Sequence, residues 1–340
     1  MYILAFETSC DDTSIAIFKD DQLIAMDTKS QIKTHTQTQG VVPEVAAREH
    51  ANNIFGVLEN VLKASNVSIE NIDYIAVTTH PGLIPSLITW VTVASTISLI
   101  YQIPIVSINH IEAHIFSNFL ERKKTEVIFP LLCLTASGWH TDIFYMKHIT
   151  SLEKVGATQD DAAGEAFDKV AKMMWLGYPG GPIISELAHI WKSTIETPKK
   201  WEKMFPRVWL NKEKAEFSFS GLKTAVKREI EKRGWETQLT EQDRQEISYE
   251  FSEAILEVLS YKLVFLWQSL WVKTIALAGW VSANDRLREL LLEKNIWNSS
   301  QCIFPKKKVY CMDNAAMIGI TAYYKIIEWV YQQHIGSLDI

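Results

Sequence analysis

Glycine is scarce in this chain, and tryptophan is abundant. The 340 residues include 14 glycines, whereas the usual share of about 7% would give roughly 24. Tryptophan occurs 12 times. Few glycines mean few places where the backbone can turn tightly or approach a ligand closely. The surplus of tryptophan therefore matters most in segments that would need such an approach.

The sequence also lacks paired cysteines and an excess of positive charge. Its four cysteines stand far apart without a C-x-x-C pair, which argues against a zinc ribbon or a disulfide framework and suits a reducing cytosol. The net charge of −6 excludes a global basic field, so any contact with RNA needs local basic clusters. The N-terminus has neither a basic segment nor a cleavage site, and we expect a cytoplasmic protein without a signal peptide.

One long segment, residues 75–111, contains no Asp, Glu, Lys or Arg. A stretch of that length could span a bilayer. However, three prolines interrupt it, and serine and threonine are frequent within it. We therefore predict a buried helix over 86–101 between strands at 74–78 and 105–108, and no membrane span.

Two parts of the chain begin alike, with a strand, a short polar turn and a second strand. The first pair covers residues 2–6 and 14–18, and the second covers 131–136 and 142–147. Helical and strand patterns alternate after each pair, beginning with a helix over 43–64. This order indicates an α/β protein with two lobes of related plan.

A charged segment, residues 121–126, separates the two patterns. We place the domain boundary there. The predicted N-terminal lobe comprises residues 1–120 and is completed by a C-terminal helix at about 312–340. The predicted C-terminal lobe comprises residues 121–311.

Two histidines stand four positions apart, at His110 and His114. On a helix both imidazoles face the same side and can share one metal ion. Two surface or capping histidines are the simpler interpretation of the spacing alone. A zinc protease of the H-E-x-x-H type is disfavoured because Ile111, not glutamate, follows the first histidine.

A third ligand would have to come from elsewhere in the chain. Asp313 follows a predicted strand at 309–311 and precedes an apolar helix, so an N-cap explains it simply. The carboxyl end of a strand is also where α/β folds place ligands. Two histidines and one carboxylate with open positions suit Fe(II) or a catalytic Zn.

Three further segments are typical of nucleotide sites, although each has an ordinary explanation. The acidic row 160–169 is usually a solvated helix face, but a carboxylate such as Asp168 can also hold ribose hydroxyls. The loop 177–182 is either a turn or a close backbone approach to a nucleotide. The segment 277–285 predicts a strand, a tight turn and a helix capped by Ser282, whose free N–H groups could meet an anion.

Together these motifs resemble the TsaD family, the tRNA threonylcarbamoyladenosine transferases formerly known as O-sialoglycoprotein endopeptidases. The likeness runs from Tyr2 to about Tyr323. The matching segments are Glu7–Thr13, Gly40–Arg48, His110–His114, Ser137–Thr141, Asp160–Lys169, Tyr178–Pro182, Phe217–Val226, Ala278–Asn284 and Cys311–Ile318.

The resemblance implies a fold of the actin, Hsp70 and sugar-kinase type, with a nucleotide cleft between two lobes. It also implies transfer of a threonylcarbamoyl group from threonylcarbamoyl-AMP to N6 of the adenosine 3′-adjacent to the anticodon, in tRNAs that read codons beginning with A. The implied partners are tRNA, a paralogous dimer partner, a small ATPase subunit and a separate adenylate-making enzyme.

The resemblance assigns roles to named residues. It makes His110, His114 and Asp313 the ligands of one divalent metal per subunit, with Fe(II) favoured and Zn possible. Asp12 is the candidate polar helper in catalysis, at a position where many relatives carry Glu. The implied substrate-binding residues are Thr135, Ala136, Ser137, Gly138, Trp139, Asp168, Gly181 and Asn284.

Contact with tRNA requires basic clusters despite the acidic total. Four clusters qualify in the sequence. They are Arg122-Lys123-Lys124, Lys199-Lys200 with Lys203 and Arg207, Lys227-Arg228, and Lys306-Lys307-Lys308.

The chain departs from the family pattern at four tryptophans, each at a position where the family has glycine: Trp90, Trp139, Trp175 and Trp280. An indole would fill space that a phosphate needs. Either the chain is a non-catalytic paralogous subunit, or the tryptophans derive from UGA codons that its host reads as glycine. The paired shortage of glycine and surplus of tryptophan favour the second interpretation. A metallopeptidase is the remaining alternative function.

Overall fold

A computed structural model describes residues 1–194, 203–211, 214–293 and 300–336, with side chains described up to 330. The chain forms two compact units. The first contains residues 1–127 and the C-terminal part from 304, and the second contains residues 128–303.

The first unit is built on a five-stranded sheet in the order β3-β2-β1-β4-β5. The predicted hairpin is present, since β1 pairs antiparallel with β2, and β4 and β5 follow in parallel. The strands are β1 (Tyr2–Glu7), β2 (Asp12–Lys19), β3 (Gln22–Ser30), β4 (Tyr74–His80) and β5 (Ile105–Asn109). The helices are α1 (Ile32–Thr36), α2 (Pro43–Ser65), α3 (Ile84–Tyr101), α4 (His110–Phe116) and the C-terminal α10 (Ala315–Gly336).

The second unit contains a six-stranded sheet in the order β11-β10-β6-β7-β8-β9. Its strands are β6 (Leu131–Ala136), β7 (Thr141–Met146), β8 (Glu153–Thr158), β9 (Glu216–Phe217), β10 (Thr274–Ala278) and β11 (Gln301–Ile303). Its helices are α5 (Ala163–Met173), α6 (Gly180–Thr194), α7 (Ser220–Lys232), α8 (Glu241–Leu270) and α9 (Asp285–Glu293). The order β8-β7-β6-β10-β11 repeats the β3-β2-β1-β4-β5 plan, with an antiparallel meander beside parallel strands.

Helix α3 is not the buried helix that its composition predicts. One side packs into the core of the first unit, where Trp90 is 1% exposed. The other side is open, with Ile84, Ile88 and Leu99 each at least 60% exposed. The helix is long and apolar enough to cross a membrane by length and composition, which alone is weak evidence for a span. Exposed apolar surfaces of this kind often mark interaction sites.

Two helices, α5 and α8, end at tryptophans in the left-handed backbone conformation, and Trp235 follows the left-handed Gly234 at the end of α7. Among the described residues, eight non-glycine residues have left-handed φ values, and three of them are tryptophans: Trp175 at +54°, Trp235 at +72° and Trp271 at +52°. A side chain in this conformation costs about 1–2 kcal/mol, and glycine is the usual residue there. These backbones therefore have the shape of glycine sites.

Candidate metal centre and adenylate site

Helix α4 places the two histidines of the candidate metal centre. Asn109 caps the helix, because its side-chain oxygen accepts from the backbone N–H of Ile111 at 2.8 Å and of Glu112 at 3.0 Å. His110 and His114 then lie one turn apart on the same helix. They are 6% and 1% exposed, so the alternative of two surface histidines is wrong.

Asp313 precedes helix α10 but does not cap it. The capping role belongs to Asn314, whose side-chain oxygen accepts from the backbone N–H of Met317 at 3.0 Å. The segment Lys308–Cys311 is a short 3₁₀ helix rather than the predicted strand. The N-cap interpretation of Asp313 is therefore wrong, and its carboxylate turns towards the histidines of α4.

The three side chains meet closely enough to share one cation. One ligand atom from each of His110, His114 and Asp313 lies within 4.8 Å of the others. Asp313 Oδ1 is 3.1 Å from His114 Nε2 and 3.6 Å from His110 Nε2. Both ring nitrogens of His114 are buried and make no hydrogen bond among the described residues. Since a buried imidazole whose ring nitrogens make no hydrogen bond is costly, and the Asp313 carboxylate lies beside it, these residues fit a metal ion.

The carboxylates around His110 favour a positive charge on or beside its imidazole ring. Burial lowers the pKa of His110, but the carboxylates of Glu7 and Asp313 outweigh it and raise the pKa to about 9. Burial likewise raises the pKa of Glu7, but the attraction and hydrogen bond of His110 leave it below its ordinary value. A divalent cation on His110 Nε2 would take the place of a proton.

Asp12, the candidate catalytic helper, lies at the first position of β2. Burial raises its pKa to about 7, although a hydrogen bond with Ser30 opposes the change. The negative charges of Asp11 and Asp313 raise the pKa further. A carboxyl group with a pKa near 7 is suited to accept a proton at neutral pH.

The candidate substrate residues 135–139 begin at the end of β6. This strand runs parallel to β10, so the carboxyl ends of both strands meet at one edge of the sheet. Gly279, which follows β10, has φ +78°, and a Cβ atom there would collide with the carbonyl oxygen of Ala136. The edge thus depends on a bare backbone at Gly279, in the place where α/β folds bind ligands.

Three other candidate residues surround the start of α6. Asp168 accepts from the backbone N–H of Gly180 at 2.8 Å, and Asn284 donates to Ser185 Oγ at 3.2 Å. Gly181 lies in the first turn of the helix. Residues 180–182 are therefore helical, and the prediction of a loop over the whole of 177–182 is wrong. Ser282 does not cap α9 as predicted, because its hydroxyl donates to the carbonyl of Gly279 at 2.5 Å.

The indole of Trp280 lies among these candidate substrate residues. A Cβ atom at Gly181 would overlap its ring, and one at Gly138 would lie 3.9 Å from its Nε1. The ring also meets Phe167 edge to face, with centroids 5.9 Å apart. Trp139 is 62% exposed. The space between Gly138 and Gly181 is thus filled by the side chain of one of the four unusual tryptophans.

Sequence reasoning missed Glu7 and Ser9, which contact His110 from the end of β1. His110 Nδ1 is 3.1 Å from Glu7 Oε2 and 3.0 Å from Ser9 Oγ. The signal in the sequence was a carboxylate at the end of a strand otherwise made of apolar residues.

Comparison with known proteins identifies the family of this chain. A family model described as TsaD, tRNA N6-adenosine threonylcarbamoyltransferase, matches residues 22–320. The protein of that name from Persephonella marina is 41% identical over 332 residues, covering 96% of this chain and 91% of the relative. The protein of the same name from Staphylococcus aureus strain Newman is 40% identical over 333 residues, covering 97% of this chain and 92% of the relative.

Solved structures show the fold. Full-length HypF in a phosphate- and nucleotide-bound form gives a TM-score of 0.59 at 14% identity, over 96% of this chain and 46% of HypF. Component A of (R)-2-hydroxyglutaryl-CoA dehydratase from Acidaminococcus fermentans gives a TM-score of 0.52 at 14% identity. The match covers 96% of this chain and 98% of component A. The expected actin, Hsp70 and sugar-kinase fold class is confirmed. With relatives about 40% identical over nearly its full length, this chain belongs to the TsaD family of tRNA N6-adenosine threonylcarbamoyltransferases.

Proposed function

We propose that this chain transfers the threonylcarbamoyl group of threonylcarbamoyl-AMP to N6 of the adenosine 3′-adjacent to the anticodon of tRNA. The observation that carries the proposal is the buried group of His110, His114 and Asp313 in a chain whose relatives bear this activity in their name. A metallopeptidase is not favoured, since those relatives are transferases. The glutamate of H-E-x-x-H is also absent at Ile111.

The reaction needs a held leaving group, an oriented amine and a proton acceptor. The N6 nitrogen forms a bond to the carbamoyl carbon, the bond from that carbon to the phosphate oxygen breaks, and AMP leaves with the electron pair. Asp12 is our candidate to accept the proton that N6 loses. Residues 135–139, Asp168, Gly181 and Asn284 would hold the adenylate. His110, His114 and Asp313 would hold a divalent metal, which would supply Lewis-acid chemistry.

A direct assay tests the function. The chain, with the paralogous subunit and the ATPase of its host, is incubated with threonylcarbamoyl-AMP and a tRNA transcript that reads codons beginning with A. We expect one threonylcarbamoyladenosine per tRNA, detected by mass spectrometry of nucleosides. A transcript with guanosine at the target position is the control and should remain unmodified. Absence of the product from the complete mixture would contradict the proposal.

Two of the predicted basic clusters form one surface of the first unit. Arg122 donates to the backbone carbonyl of Phe304 at 2.9 Å, and Lys307 Nζ is 2.5 Å from Glu121 Oε1. These contacts join the two segments. We call this the basic surface, and it consists of Arg122, Lys123, Lys124, Lys306, Lys307 and Lys308.

The other two predicted clusters offer fewer basic side chains for contact with tRNA phosphates. Lys203 and Arg207 are ion-paired with Glu257, at 2.6 and 3.0 Å. Lys199 and Lys200 lie outside the described residues. Lys227-Arg228 lies on α7 and remains a prediction. We propose the basic surface as the main contact for tRNA phosphates, because Lys123, Lys124, Lys306 and Lys308 are exposed there, although Lys307 is paired with Glu121.

Neutralising the basic surface should weaken tRNA binding and its dependence on salt. For the triple variant Lys124→Gln, Lys306→Gln and Lys308→Gln, the slope of log K against log salt should fall by about 0.7–0.9 for each phosphate that the protein no longer neutralises. Filter binding at several salt concentrations, with partner subunits present, measures it. Lys63→Gln is the control, because Lys63 is exposed and paired with Glu59 on α2. An unchanged slope in the triple variant would exclude this surface.

We further propose that the exposed side of α3 receives the paralogous dimer partner. Ile84, Ile88 and Leu99 form an apolar helix face in the first unit, and Phe55 of α2 is 68% exposed. A surface of this kind fits a protein interface better than contact with water. With tRNA as substrate, the place of action is the cytoplasm, and α3 then serves assembly rather than membrane insertion.

A further inference from the structure

Glu7 is a carboxylate in the interior of the first unit. It stands at the end of β1, and its exposure is 0%. A buried carboxylate is costly unless hydrogen bonds and opposite charge compensate it. Its position therefore calls for a role that an apolar residue could not fill.

Both oxygens of Glu7 are engaged. Oε2 accepts from Thr78 Oγ1 at 2.6 Å and lies 3.1 Å from His110 Nδ1, and Oε1 accepts from the backbone N–H of Ser9 at 2.6 Å. Strand β4, which carries Thr78, pairs directly with β1. The carboxylate is thus held by β1 and β4. It reaches the candidate metal centre directly at His110, and Ser9, which it also binds, places its hydroxyl 3.0 Å from the same His110 Nδ1, where that oxygen can accept alongside the carboxylate.

The contact between Glu7 and His110 determines which nitrogen of His110 can bind a metal. A carboxylate at Nδ1 keeps the proton there and leaves the lone pair on Nε2. His110 Nε2 is the nitrogen that faces Asp313, at 3.6 Å. Metal-binding histidines commonly donate their other N–H to a carboxylate, which fixes both the tautomer and the orientation of the ring.

We propose that Glu7 is a positioning residue for the metal centre: it holds His110 with the proton on Nδ1 so that Nε2 binds the cation. The inference rests on the proposed function only in taking His110 as a metal ligand. A metal titration without tRNA or adenylate tests it separately from the transfer reaction.

The variant Glu7→Gln preserves the shape of the side chain and removes its charge. We expect Zn²⁺ affinity, measured by competition with a chromophoric chelator, to fall about 10- to 100-fold. Glu253→Gln is the matched control, because Glu253 is also a buried carboxylate, paired with Arg286 in the second unit. It should retain wild-type affinity. A folded Glu7→Gln protein with wild-type Zn²⁺ affinity would show that Glu7 only stabilises the fold, and would overturn the proposal.

A second measurement needs no variant. In the zinc-loaded wild type labelled with ¹⁵N-histidine, the spectrum of His110 should show a proton on Nδ1 and metal on Nε2. Metal on Nδ1 would overturn the proposal even if Glu7→Gln fails to fold. Metal on Nε2 together with an inactive enzyme would retain the role of Glu7 and reject the proposed transfer function instead.

Discussion

Replacing His114 by alanine should remove the bound metal and reduce threonylcarbamoyl transfer by about 100-fold or more. His114 is 1% exposed, and its ring nitrogens have no hydrogen-bond partner among the described residues. Metal binding is therefore the interaction that its ring is placed to make, and losing one of three protein ligands lowers affinity steeply. Elemental mass spectrometry of the purified protein measures the metal content, and nucleoside analysis measures the activity.

His110→Ala and Asp313→Ala should have the same effect, since the three ligand atoms lie within 4.8 Å of one another. His148→Ala is a suitable control, because His148 is an exposed histidine of the second unit. If Asp313→Ala retains wild-type metal content, Asp313 is not a ligand and the site has only two of the three proposed groups.

Replacing Trp139 and Trp280 by glycine should increase the affinity for AMP at least tenfold. The ring of Trp280 fills the space beside Gly181 and Gly138, both candidate adenylate residues. Adding a large side chain to a space shaped for a ligand excludes that ligand. Isothermal titration calorimetry with AMP measures the change. Trp271→Gly is the matched control, since it exchanges the same residue types at a left-handed helix end and should leave AMP affinity unchanged.

The same tryptophans lead to a prediction about the natural protein. We expect glycine at positions 90, 139, 175 and 280, encoded by UGA codons that the host reads as glycine. The backbone at Trp175 supports this view. Its N–H donates to the carbonyl of Lys172 at 3.1 Å, and that of Leu176 donates to Ala171 at 3.0 Å. This is the Schellman pattern that ends a helix at glycine.

The left-handed Trp271, which ends α8, extends the expectation to one further position. Peptide mass spectrometry of protein from the native host decides the matter. Tryptophan observed at 139 and 280 would reject the hypothesis, and a non-catalytic paralogous subunit would then be the better interpretation. Equal AMP affinity in the glycine double variant and the wild type would likewise show that Trp280 does not obstruct an adenylate site.

The sequence by itself predicted several regular elements of both units, although strands β3 and β8 were not foreseen and the strand predicted at 309–311 was wrong. Two kinds of element can be recognised from local patterns: apolar strands bounded by polar turns, and a long uncharged helix. Both are visible in the order of apolar and polar residues along a short stretch of sequence. The strand 274–278 and the helix starting at Pro43 were predicted correctly for this reason. The pair His110 and His114 was also visible, since one turn of helix separates them.

Only the tertiary structure shows which side chains from these elements meet to form a site. Asp313 lies 199 positions beyond His114 in sequence, so only the fold could bring its carboxylate to 3.1 Å from the imidazole. Glu7 reaches His110 in the same way, through the pairing of β1 with β4 beside β5. The exposed side of α3 and the ring of Trp280 beside Gly181 likewise depend on long-range packing. Composition specifies how apolar a segment is. Whether that segment is buried or exposed depends on packing against residues far away in the chain.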